Sequence, residues 1–420
     1  MAHLLVIESW VGASSLLLPR AITELGHRFT FVTRNLHHYL PKPTAAGVHP
    51  LLHADHIVRC ETNDLTALLD FVDRLRSIVA FDGVLTSCDY YLEAAAEVAG
   101  RFDLPGPAPQ GVRTARVKHL MRAALDAAGL PSVRHRVAAD LRDARAAAAE
   151  LGYPLVVKPV DLCAGIHVRC ARDESELEEA FSALADLRQN AREQPRPPEV
   201  LLEELLDGDE VSVETVTHRG QTQFVAVTGK VVAAFPAFVE AGHAVPAPVA
   251  PAEREAAEEL VVAALRATGY DHGVAHTEVR LTSRGPRVVE INARLPGNYI
   301  PELVRHVTGF DLAQAQVRLA LGERPSTTTD GGGAGSAAIR FLLPDADGEV
   351  AAIEGQELLA RDPAVVAWQV SAAPGQRVRR ARDNGDYLGH VVSVDRAGTR
   401  AAELASSAAA RIRVCVTPYA

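Results

Sequence analysis

The segment His276–Arg294 reads HTEVRLTSRGPRVVEINAR, and it decides the fold more than any other stretch of the chain. Residues 276–281 and 287–292 alternate with period two, which is typical of strands with one buried face. Residues 283–286, Ser-Arg-Gly-Pro, supply turn formers between them. The segment therefore predicts a β-hairpin whose polar side chains share one face.

This hairpin is expected to bring two carboxylates together. If the turn centres on Arg284, Glu278 pairs with Glu290 and His276 pairs with Asn292. Neighbouring carboxylates repel each other unless a cation lies between them, and oxygen ligands without cysteine suit Mg²⁺ better than Zn²⁺. Glu278, Glu290 and Asn292 are therefore predicted to bind Mg²⁺, with nucleotide phosphates completing its coordination. The alternative is a solvated amphipathic hairpin, which the apolar residues between the carboxylates disfavour.

Other polar residues could serve the same nucleotide. Arg294 shares the polar face of the hairpin and could bind an anion formed there. Lys118 lies on an early turn of a helix predicted over residues 114–128, and Lys158 ends an apolar strand. Residues 200–214 read as strand, acidic bend and strand, and such a bend can present backbone groups to adenine and a carboxylate to ribose. A lone lysine is usually a surface charge, so the combination is what indicates nucleotide binding.

In their order and spacing these motifs resemble the ATP-grasp superfamily, in particular its carboxylate-amine ligases and most closely the bacterial L-amino-acid ligases. The resemblance covers nearly the whole chain and is carried by VVKP, LLEELLDGDEVSVE, FVEAGHAVPAP, HTEV and VEINARLPGNYIPELV. It implies a fold of class α/β and α+β: an ATP-grasp fold with an N-terminal doubly wound parallel-sheet domain, a mobile lid subdomain and a small β-rich C-terminal domain. It also implies ATP and Mg²⁺ as cofactors, with Mn²⁺ as a substitute.

The resemblance further implies roles for individual residues. Lys118 and Lys158 would hold the α- and β-phosphates, and Arg294 would stabilise an acyl phosphate and the tetrahedral intermediate. Lys230 would face the γ-phosphate and the substrate carboxylate. The implied nucleotide-binding positions would be Lys118, Lys158, Glu203, Glu204, Leu206 and Glu210. The implied metal ligands would be Glu278, Glu290 and Asn292.

Substrate contacts are expected from a second set of residues. The loop that holds Glu240 and His243 resembles a substrate-facing loop, and a substrate ammonium in a closed cleft needs an anionic partner. Asn298 and Tyr299, just beyond the hairpin, could shape the acyl pocket, and His276 is a further candidate. The alternatives are that Glu240 is a solvated loop charge and that Tyr299 is a core aromatic.

The phosphate-covering loop departs from the family pattern. It spans residues 161–168 and holds a single glycine, Gly165, where the family is rich in glycine and serine. Fewer glycines leave fewer positions free to adopt positive φ and to point backbone N–H groups at phosphate. We expect this loop to grip ATP less tightly or to use His167; the alternative is that His167 is an ordinary loop residue.

Composition favours an intracellular globular enzyme. The chain has 420 residues, of which 48% are hydrophobic and 23% charged, and this length predicts about two to four domains. Neither a basic n-region at the start nor an apolar run of membrane-spanning length is found, so neither a signal peptide nor a membrane span is expected. The formal charge of -10 argues against nucleic-acid binding, and the 5 scattered cysteines indicate free thiols rather than a zinc site. We expect a cytoplasmic protein whose partners are small-molecule carboxylates and amines, and a homodimer is compatible with the sequence.

The succession of elements predicts three domains. Residues 1–108 alternate strands and helices, which is typical of a parallel doubly wound sheet, and form the N-terminal pre-ATP-grasp α/β domain. Residues 110–325 form the ATP-grasp domain, whose lid spans about 131–203 and carries the polar loop 189–198 on its surface. Residues 331–420, after a glycine-rich linker, form the β-rich C-terminal domain.

Together the residues and the resemblance predict an ATP- and Mg-dependent ligase. It would activate an amino-acid or related carboxylate as an acyl phosphate, join it to an amine as an amide or dipeptide, and release ADP and phosphate. Two alternatives stay open. One is a central-metabolism ATP-grasp enzyme, such as a purine-pathway or biotin-carboxylase-like ligase, and the other is a catalytically silent nucleotide-binding module.

Overall fold

A parallel sheet with helices on both faces forms the N-terminal part of the computed structural model, which describes residues 1–9, 14–40, 49–232 and 238–419. The strands are β1 (His3–Ile7), β2 (Arg28–Thr33), β3 (His56–Arg59) and β4 (Gly83–Leu85), in the order β3-β2-β1-β4. The helices are α1 (Ser14–Glu24), α2 (Leu65–Arg76) and α3 (Leu92–Arg101). Alternate residues of β1 pack against α1 on one face and against α2 and α3 on the other, so the predicted doubly wound sheet is confirmed. Strand β3 was not predicted, because its exposed edge position carries no apolar alternation.

Lys118 begins a helix instead of lying within one. The two helices of this region are α4 (Pro109–Arg116) and α5 (Lys118–Ala127). Between them Val117 has an extended backbone, with φ −84° and ψ 109°, so the single helix predicted over residues 114–128 is wrong. The backbone N–H of Lys118 donates to the carbonyl of Val160 at 2.9 Å. This contact with a distant segment, which periodicity cannot reveal, holds the start of α5 in place.

The lid elements form a separate antiparallel sheet covered by two helices. Its strands are β5 (His135–Ala138), β6 (Leu155–Pro159), β7 (Arg169–Ala171) and β8 (Val200–Glu204), in the order β5-β8-β6-β7. Its helices are α6 (Leu141–Leu151) and α7 (Glu174–Ala185). The apolar faces of both helices and of the sheet make one buried core, so this unit has packing of its own.

The centre of the molecule is an eight-stranded sheet in the order β13-β12-β9-β10-β11-β14-β18-β16. Its first five strands in the chain are β9 (Asp209–His218), β10 (Gln221–Val232), β11 (Glu240–Val245), β12 (Gly273–Thr282) and β13 (Gly285–Asn292). Helix α8 (Pro251–Thr268) lies between β11 and β12 in the chain, and α9 (Ile300–Thr308) and α10 (Leu312–Ala320) follow β13. Residues 240–243, predicted as a loop, lie in β11, because this segment pairs with β10 and β14 on its two sides.

The C-terminal part is β-rich, and three of its strands extend the central sheet. These are β14 (Ser336–Leu342), β16 (Val365–Val370) and β18 (Gly389–Asp395). A smaller sheet holds β15 (Gly348–Glu354), β17 (Arg377–Val378) and β19 (Arg413–Thr417), and the helices are α11 (Gln356–Leu359) and α12 (Ala401–Ala409). Among the helices that the structure describes, none is long and apolar enough to cross a membrane.

The hairpin of β12 and β13 has the predicted register at its functional end. His276 pairs with Asn292 and Glu278 with Glu290, but the register shifts by one residue after Glu278. The turn therefore consists of residues 283 and 284, and its centre lies between them. The predicted centre on Arg284 is wrong by half a residue. A β-bulge at residues 288–289 absorbs the difference, and Arg122 donates to both carbonyls there at 2.5 and 3.0 Å.

The sequence predicted that residues 189–198 form a surface loop of the lid. The structure shows instead that part of this loop packs against the N-terminal part of the chain. The side chain of Arg192 is buried at the carboxyl edge of the N-terminal sheet, with 5% of the residue exposed. It donates to the hydroxyl of Tyr39 at 3.3 Å and to the carbonyl of Ser9. The carbonyl of Arg192 accepts from Asn63 at 2.9 Å, and Glu193 pairs with Arg34 at 2.6 Å. The polar composition of the loop predicted that it is exposed. In the structure its polar groups form hydrogen bonds with the N-terminal part of the chain, so they can be buried between the two parts.

We expect Arg192→Ala to loosen the lid. A hydrogen bond that involves a charged group contributes about 1.5–3 kcal/mol, so removing this guanidinium should speed hydrogen exchange of α7 and β8 about tenfold or more without nucleotide. Mass-spectrometric hydrogen exchange of the full chain measures this change, and Arg188→Ala, an exposed arginine of the same segment, is the control. The wild-type lid is also expected to exchange more slowly with Mg²⁺-ADP. Equal exchange in the wild type and Arg192→Ala would show that the contact does not hold the lid.

Candidate active site

The predicted site residues converge on one cleft between the lid, the central sheet and the C-terminal part. Its cavity has a volume of about 560 Å³. The predicted residues that line it are Lys118, Lys158, Glu203, Glu204, Leu206, Glu210, Glu240, His276, Glu278, Glu290, Asn292, Arg294 and Asn298. Lys230, His243 and Tyr299 lie behind this wall, in contact with Glu278, Glu240 and His390 respectively.

Buried cations form one end of the cleft. Lys158 on β6 pairs with Glu203 on β8 at 2.6 Å, and Arg122 on α5 pairs with the same carboxylate at 2.7 Å. Burial acts to raise the pKa of Glu203, but the two cations outweigh it and lower that pKa to about 2. Glu203 therefore stays charged and orients Lys158, so two cations share one carboxylate. This excess positive charge suits an anion such as phosphate.

The acidic bend between β8 and β9 forms the adjoining wall. Glu204 pairs with Arg134 at 3.1 Å and with Arg284, from the hairpin turn, at 2.9 Å. Gly208 in the bend has φ +82°, and a Cβ there would lie 2.0 Å from the carbonyl oxygen of Leu281. Only glycine fits this close approach, which brings the bend against the hairpin.

Lys230 lies at the centre of three carboxylates. Its ammonium is 2.7 Å from Glu278, 2.7 Å from Glu240 and 3.3 Å from Glu210. Oxygen atoms of these three glutamates lie within 4.8 Å of one another, a spacing that could also hold a metal ion. The sequence did not predict this cluster, because strands β9, β10, β11 and β12 bring its members together only in the folded sheet. Arg280 adds a further contact to Glu210 at 3.0 Å.

The predicted metal ligands fit a hard divalent cation. Glu278 and Glu290 are cross-strand neighbours, and each is paired with an ammonium, Glu278 with Lys230 and Glu290 with Lys118 at 3.0 Å. These lysines provide the positive charge that two adjacent carboxylates require. Together with the side-chain oxygen of Asn292 the donors are all oxygen atoms, as Mg²⁺ prefers. The placement of Glu278 and Glu290 on neighbouring strands is compatible with Mg²⁺ binding. That these two residues and Asn292 are the ligands stays a prediction.

His276 bridges two carboxylates behind the metal position. Its Nδ1 lies 3.0 Å from Glu214 and its Nε2 lies 3.4 Å from Glu278. Burial acts to lower the pKa of His276, but Glu214 and Glu278 outweigh it and raise that pKa to about 9. Glu214, which also accepts from Ser212 and Thr228, was not singled out from the sequence. The sequence did contain a signal for Glu214, because a glutamate among the apolar residues of strand β9 indicates a buried charge that needs a partner.

Arg294 is held by a residue of the N-terminal part. Its Nε donates to Asp89 at 2.6 Å, and its Nη2 donates to the side-chain oxygen of Asn292 at 3.3 Å. Asp89 is 3% exposed and follows strand β4. The sequence did not single it out, because nothing near Asp89 in the chain indicates that it meets the hairpin.

Glu240 is a half-buried strand residue and not a solvated loop charge. Its Oε1 pairs with Lys230 at 2.7 Å, while its Oε2 accepts from Asn298 at 2.6 Å and from Asn384 at 2.9 Å. His243 lies 3.6 Å from the same carboxylate. Burial lowers the pKa of His243 to about 4, so its ring is neutral at physiological pH. Tyr299 packs on the ring of His390 with centroids 4.2 Å apart, which favours the packing alternative for this residue.

The loop 161–168 adopts positive φ despite its single glycine. Ala164 has φ 58°, Gly165 69° and His167 58°. Residues on both sides of His167 line the cleft, and the carbonyl of Leu162 accepts from Lys118 at 2.5 Å. The low glycine content therefore does not limit positive φ to Gly165, because Ala164 and His167 also take the left-handed region here. The weaker grip on ATP expected for this loop stays a prediction. A role for His167 toward phosphate stays a prediction.

Comparison with known proteins connects this cleft to a family. The chain matches the ATP-grasp N-terminal domain over residues 20–106, the ATP-grasp domain over residues 151–302 and the L-amino acid ligase C-terminal domain 2 over residues 340–417. It is 30% identical over 367 residues to the y4rH protein of Sinorhizobium fredii, covering 86% of this chain and 74% of that protein.

Two further comparisons concern named ligases. The chain is 28% identical to the alanine–anticapsin ligase of Bacillus subtilis over 271 residues, which are 59% of this chain and 55% of that enzyme. The match thus spans about half of that relative's length. The crystal structure of the L-amino acid ligase from Bacillus licheniformis superposes with a TM-score of 0.79 at 22% identity, covering 99% of both chains, and therefore shares the fold. ATP-grasp enzymes use ATP together with a divalent metal ion. The three matched domains, the relatives and the cleft at their junction show that this chain belongs to the ATP-grasp superfamily as an L-amino-acid-ligase-like member.

Proposed function

We propose that the protein is an ATP- and Mg²⁺-dependent ligase that joins the carboxylate of an amino acid or a related acid to an amine. One observation carries this proposal above all: the cations Lys118 and Lys158, the acidic hairpin and Arg294 line a single cleft with Glu240. A phosphate-binding end, a metal-binding wall and an anionic contact for an ammonium are therefore within reach of one substrate complex.

The proposed nucleotide contacts follow from the arrangement of charges. Lys118 and Lys158 would neutralise the α- and β-phosphates, with Glu203 holding Lys158 in place. The backbone around Glu204 and Leu206 would read adenine, and Glu210 would bind ribose. Glu278, Glu290 and Asn292 would hold the Mg²⁺, which supplies charge neutralisation on the transferred phosphoryl group.

The reaction would proceed in two steps. An oxygen of the substrate carboxylate would attack the γ-phosphorus of ATP, and the bond between that phosphorus and the β,γ-bridging oxygen would break. ADP would leave, and the substrate would become an acyl phosphate. The amine nitrogen then attacks the acyl carbon, inorganic phosphate leaves, and the nitrogen loses a proton as the amide forms. Arg294 would stabilise the negative charge on the oxygen of the tetrahedral intermediate, held in position by Asp89. Lys230 would support the substrate side of the cleft through Glu240 and Glu278.

The ligand class that the cleft favours is an amino acid. Glu240 offers a carboxylate to an α-ammonium, and the match to the L-amino acid ligase C-terminal domain 2 supports the same class. Small-molecule carboxylates and amines are thus the proposed partners. The formal charge of -10 supports the absence of nucleic-acid binding. A homodimer and a cytoplasmic location stay predictions.

A phosphate-release screen with Mg²⁺-ATP tests the proposed function. Amino acids are supplied singly and in pairs, with bicarbonate as a separate arm, and products are identified by mass spectrometry. We expect phosphate release that depends on an amino acid and yields a product lighter than its two substrates by one water. Release with bicarbonate and with no amino acid would instead favour a central-metabolism ATP-grasp reaction. Nucleotide binding without release under any condition would favour the silent module.

A further inference from the structure

We infer that Asn384, from the C-terminal part of the chain, is a positioning and specificity residue for the amine-bearing substrate, acting through Glu240. The inference rests on the proposed function, in which Glu240 binds the substrate ammonium. Asn384 lies far from the hairpin in sequence, and no motif indicated a role for it. In the structure it lines the cleft together with its neighbours Asp383 and Gly385.

Asn384 contacts Glu240 with both ends of its side-chain amide. Its Nδ2 donates to Oε2 of Glu240 at 2.9 Å, and its Oδ1 accepts from the backbone N–H of Glu240 at 3.1 Å. An amide can do this in one orientation only, with its nitrogen toward the carboxylate and its oxygen toward the backbone. The contact therefore selects one conformation of the Glu240 side chain relative to its own strand.

The other contacts of the Glu240 carboxylate restrain it from one side of the cleft, and Asn384 restrains it from the other. Lys230 contacts Oε1 at 2.7 Å, and Asn298 contacts Oε2 at 2.6 Å. Both come from the ATP-grasp part of the chain, whereas Asn384 approaches from the C-terminal part. Oε2 thus receives a donor from each side of the cleft. Without Asn384 the carboxylate would keep its charge, because Lys230 remains, but Oε2 would keep only the donor from Asn298 and would lose its restraint from the C-terminal part.

The segment that carries Asn384 is held in place by its own contacts. Arg379 pairs with Asp383 at 3.0 Å and with Asp386 at 2.8 Å, on either side of Asn384. The hydroxyl of Tyr387 donates to the carbonyl of Glu240 at 2.9 Å, and its ring stacks on Phe341 with centroids 4.1 Å apart. The C-terminal part can therefore present Asn384 as a preorganised donor, which limits the entropy lost when substrate binds.

Two substitutions at this position separate positioning from packing. Asn384→Ala removes both hydrogen bonds, whereas Asn384→Asp keeps the shape and the acceptor but places a second carboxylate against Glu240. We expect the KM for the amine-bearing amino acid to rise about tenfold in Asn384→Ala and further in Asn384→Asp. The KM for ATP should stay within about twofold, because the side chain of Asn384 hydrogen-bonds to Glu240 and not to the residues proposed to bind ATP. Arg382→Ala, an exposed residue of the same loop, is the matched control and should behave as wild type.

A double-substitution cycle with Glu240→Ala tests whether Asn384 acts through Glu240. If it does, Glu240→Ala and Glu240→Ala/Asn384→Ala should have equal KM values for the amino acid, because the restraint has no effect without the carboxylate. Multiplied effects in the double variant would overturn the inference in favour of direct contact with substrate. An unchanged amino-acid KM in Asn384→Ala, with an active wild type, would overturn the inference alone. A wild type that is inactive with every amino acid would overturn the proposed function and the inference with it.

Discussion

Glu290→Gln is expected to lower turnover about a thousandfold or more and to leave the fold intact. Glutamine has nearly the volume of glutamate, but it lacks the negative charge that a divalent cation requires. Its side-chain oxygen can still accept from Lys118, whose ammonium lies 3.0 Å from Glu290, so the buried lysine keeps an acceptor. Phosphate release measured with the amino-acid substrates, together with circular dichroism and the thermal midpoint, checks this expectation.

The matched control for this variant is Glu349→Gln, an exposed glutamate on β15, which should turn over as the wild type does. Turnover by Glu290→Gln close to that of the wild type would remove Glu290 from the proposed metal site. Loss of the cooperative thermal transition would instead identify the pair with Lys118 as mainly structural.

The second large effect is expected at Arg294. Its contact with the oxyanion would form mainly in the reacting state, so Arg294→Ala should lower kcat by about a hundredfold to a thousandfold. ATP affinity should change by less than about twofold, because binding of the nucleotide does not require that contact. Titration calorimetry with a non-hydrolysable ATP analogue measures the affinity, and phosphate release measures kcat.

The contact with Asp89 complicates this test, and a second variant resolves it. Because Arg294 donates to the buried Asp89 at 2.6 Å, removing the guanidinium leaves a buried carboxylate without that partner, a change that costs about 3–5 kcal/mol of folding free energy. Arg294→Ala/Asp89→Asn removes this charge as well. We expect the double variant to be more stable than Arg294→Ala and equally inactive. Parallel losses of ATP affinity and kcat in the double variant would contradict the proposed role of Arg294.

Local pattern was sufficient for much of the fold. Period-two alternation predicted the hairpin and the pairing of Glu278 with Glu290, because side chains two residues apart share a face of a strand. Alternation of strands and helices predicted the parallel N-terminal sheet in the same way. The pattern missed the β-bulge at residues 288–289, since a bulge depends on donors such as Arg122 that arrive from another element.

The motifs predicted residues that the fold brings close together, but they did not predict the partners of those residues. Most of the predicted motif residues line one cleft, whereas His243 and Tyr299 lie behind its wall. Asp89, Glu214 and Asn384 were missed, because each meets the site only through a partner that is distant in sequence. The buried position of Arg192 was missed for the same reason.

The sequence by itself determined the parallel N-terminal sheet, the hairpin of β12 and β13, and which side chains of that hairpin share a face, because those properties depend on spacing along the chain. It also determined the family, because the motifs stand in order. Only the tertiary structure decided how the charges are paired: that Lys230 lies among three glutamates, that Arg294 is held from the N-terminal part, and that Glu240 is oriented from the C-terminal part. The reason is that the free energy of a buried charge depends on distances of a few ångströms to its partners, and those distances exist only after the separate sheets have packed together.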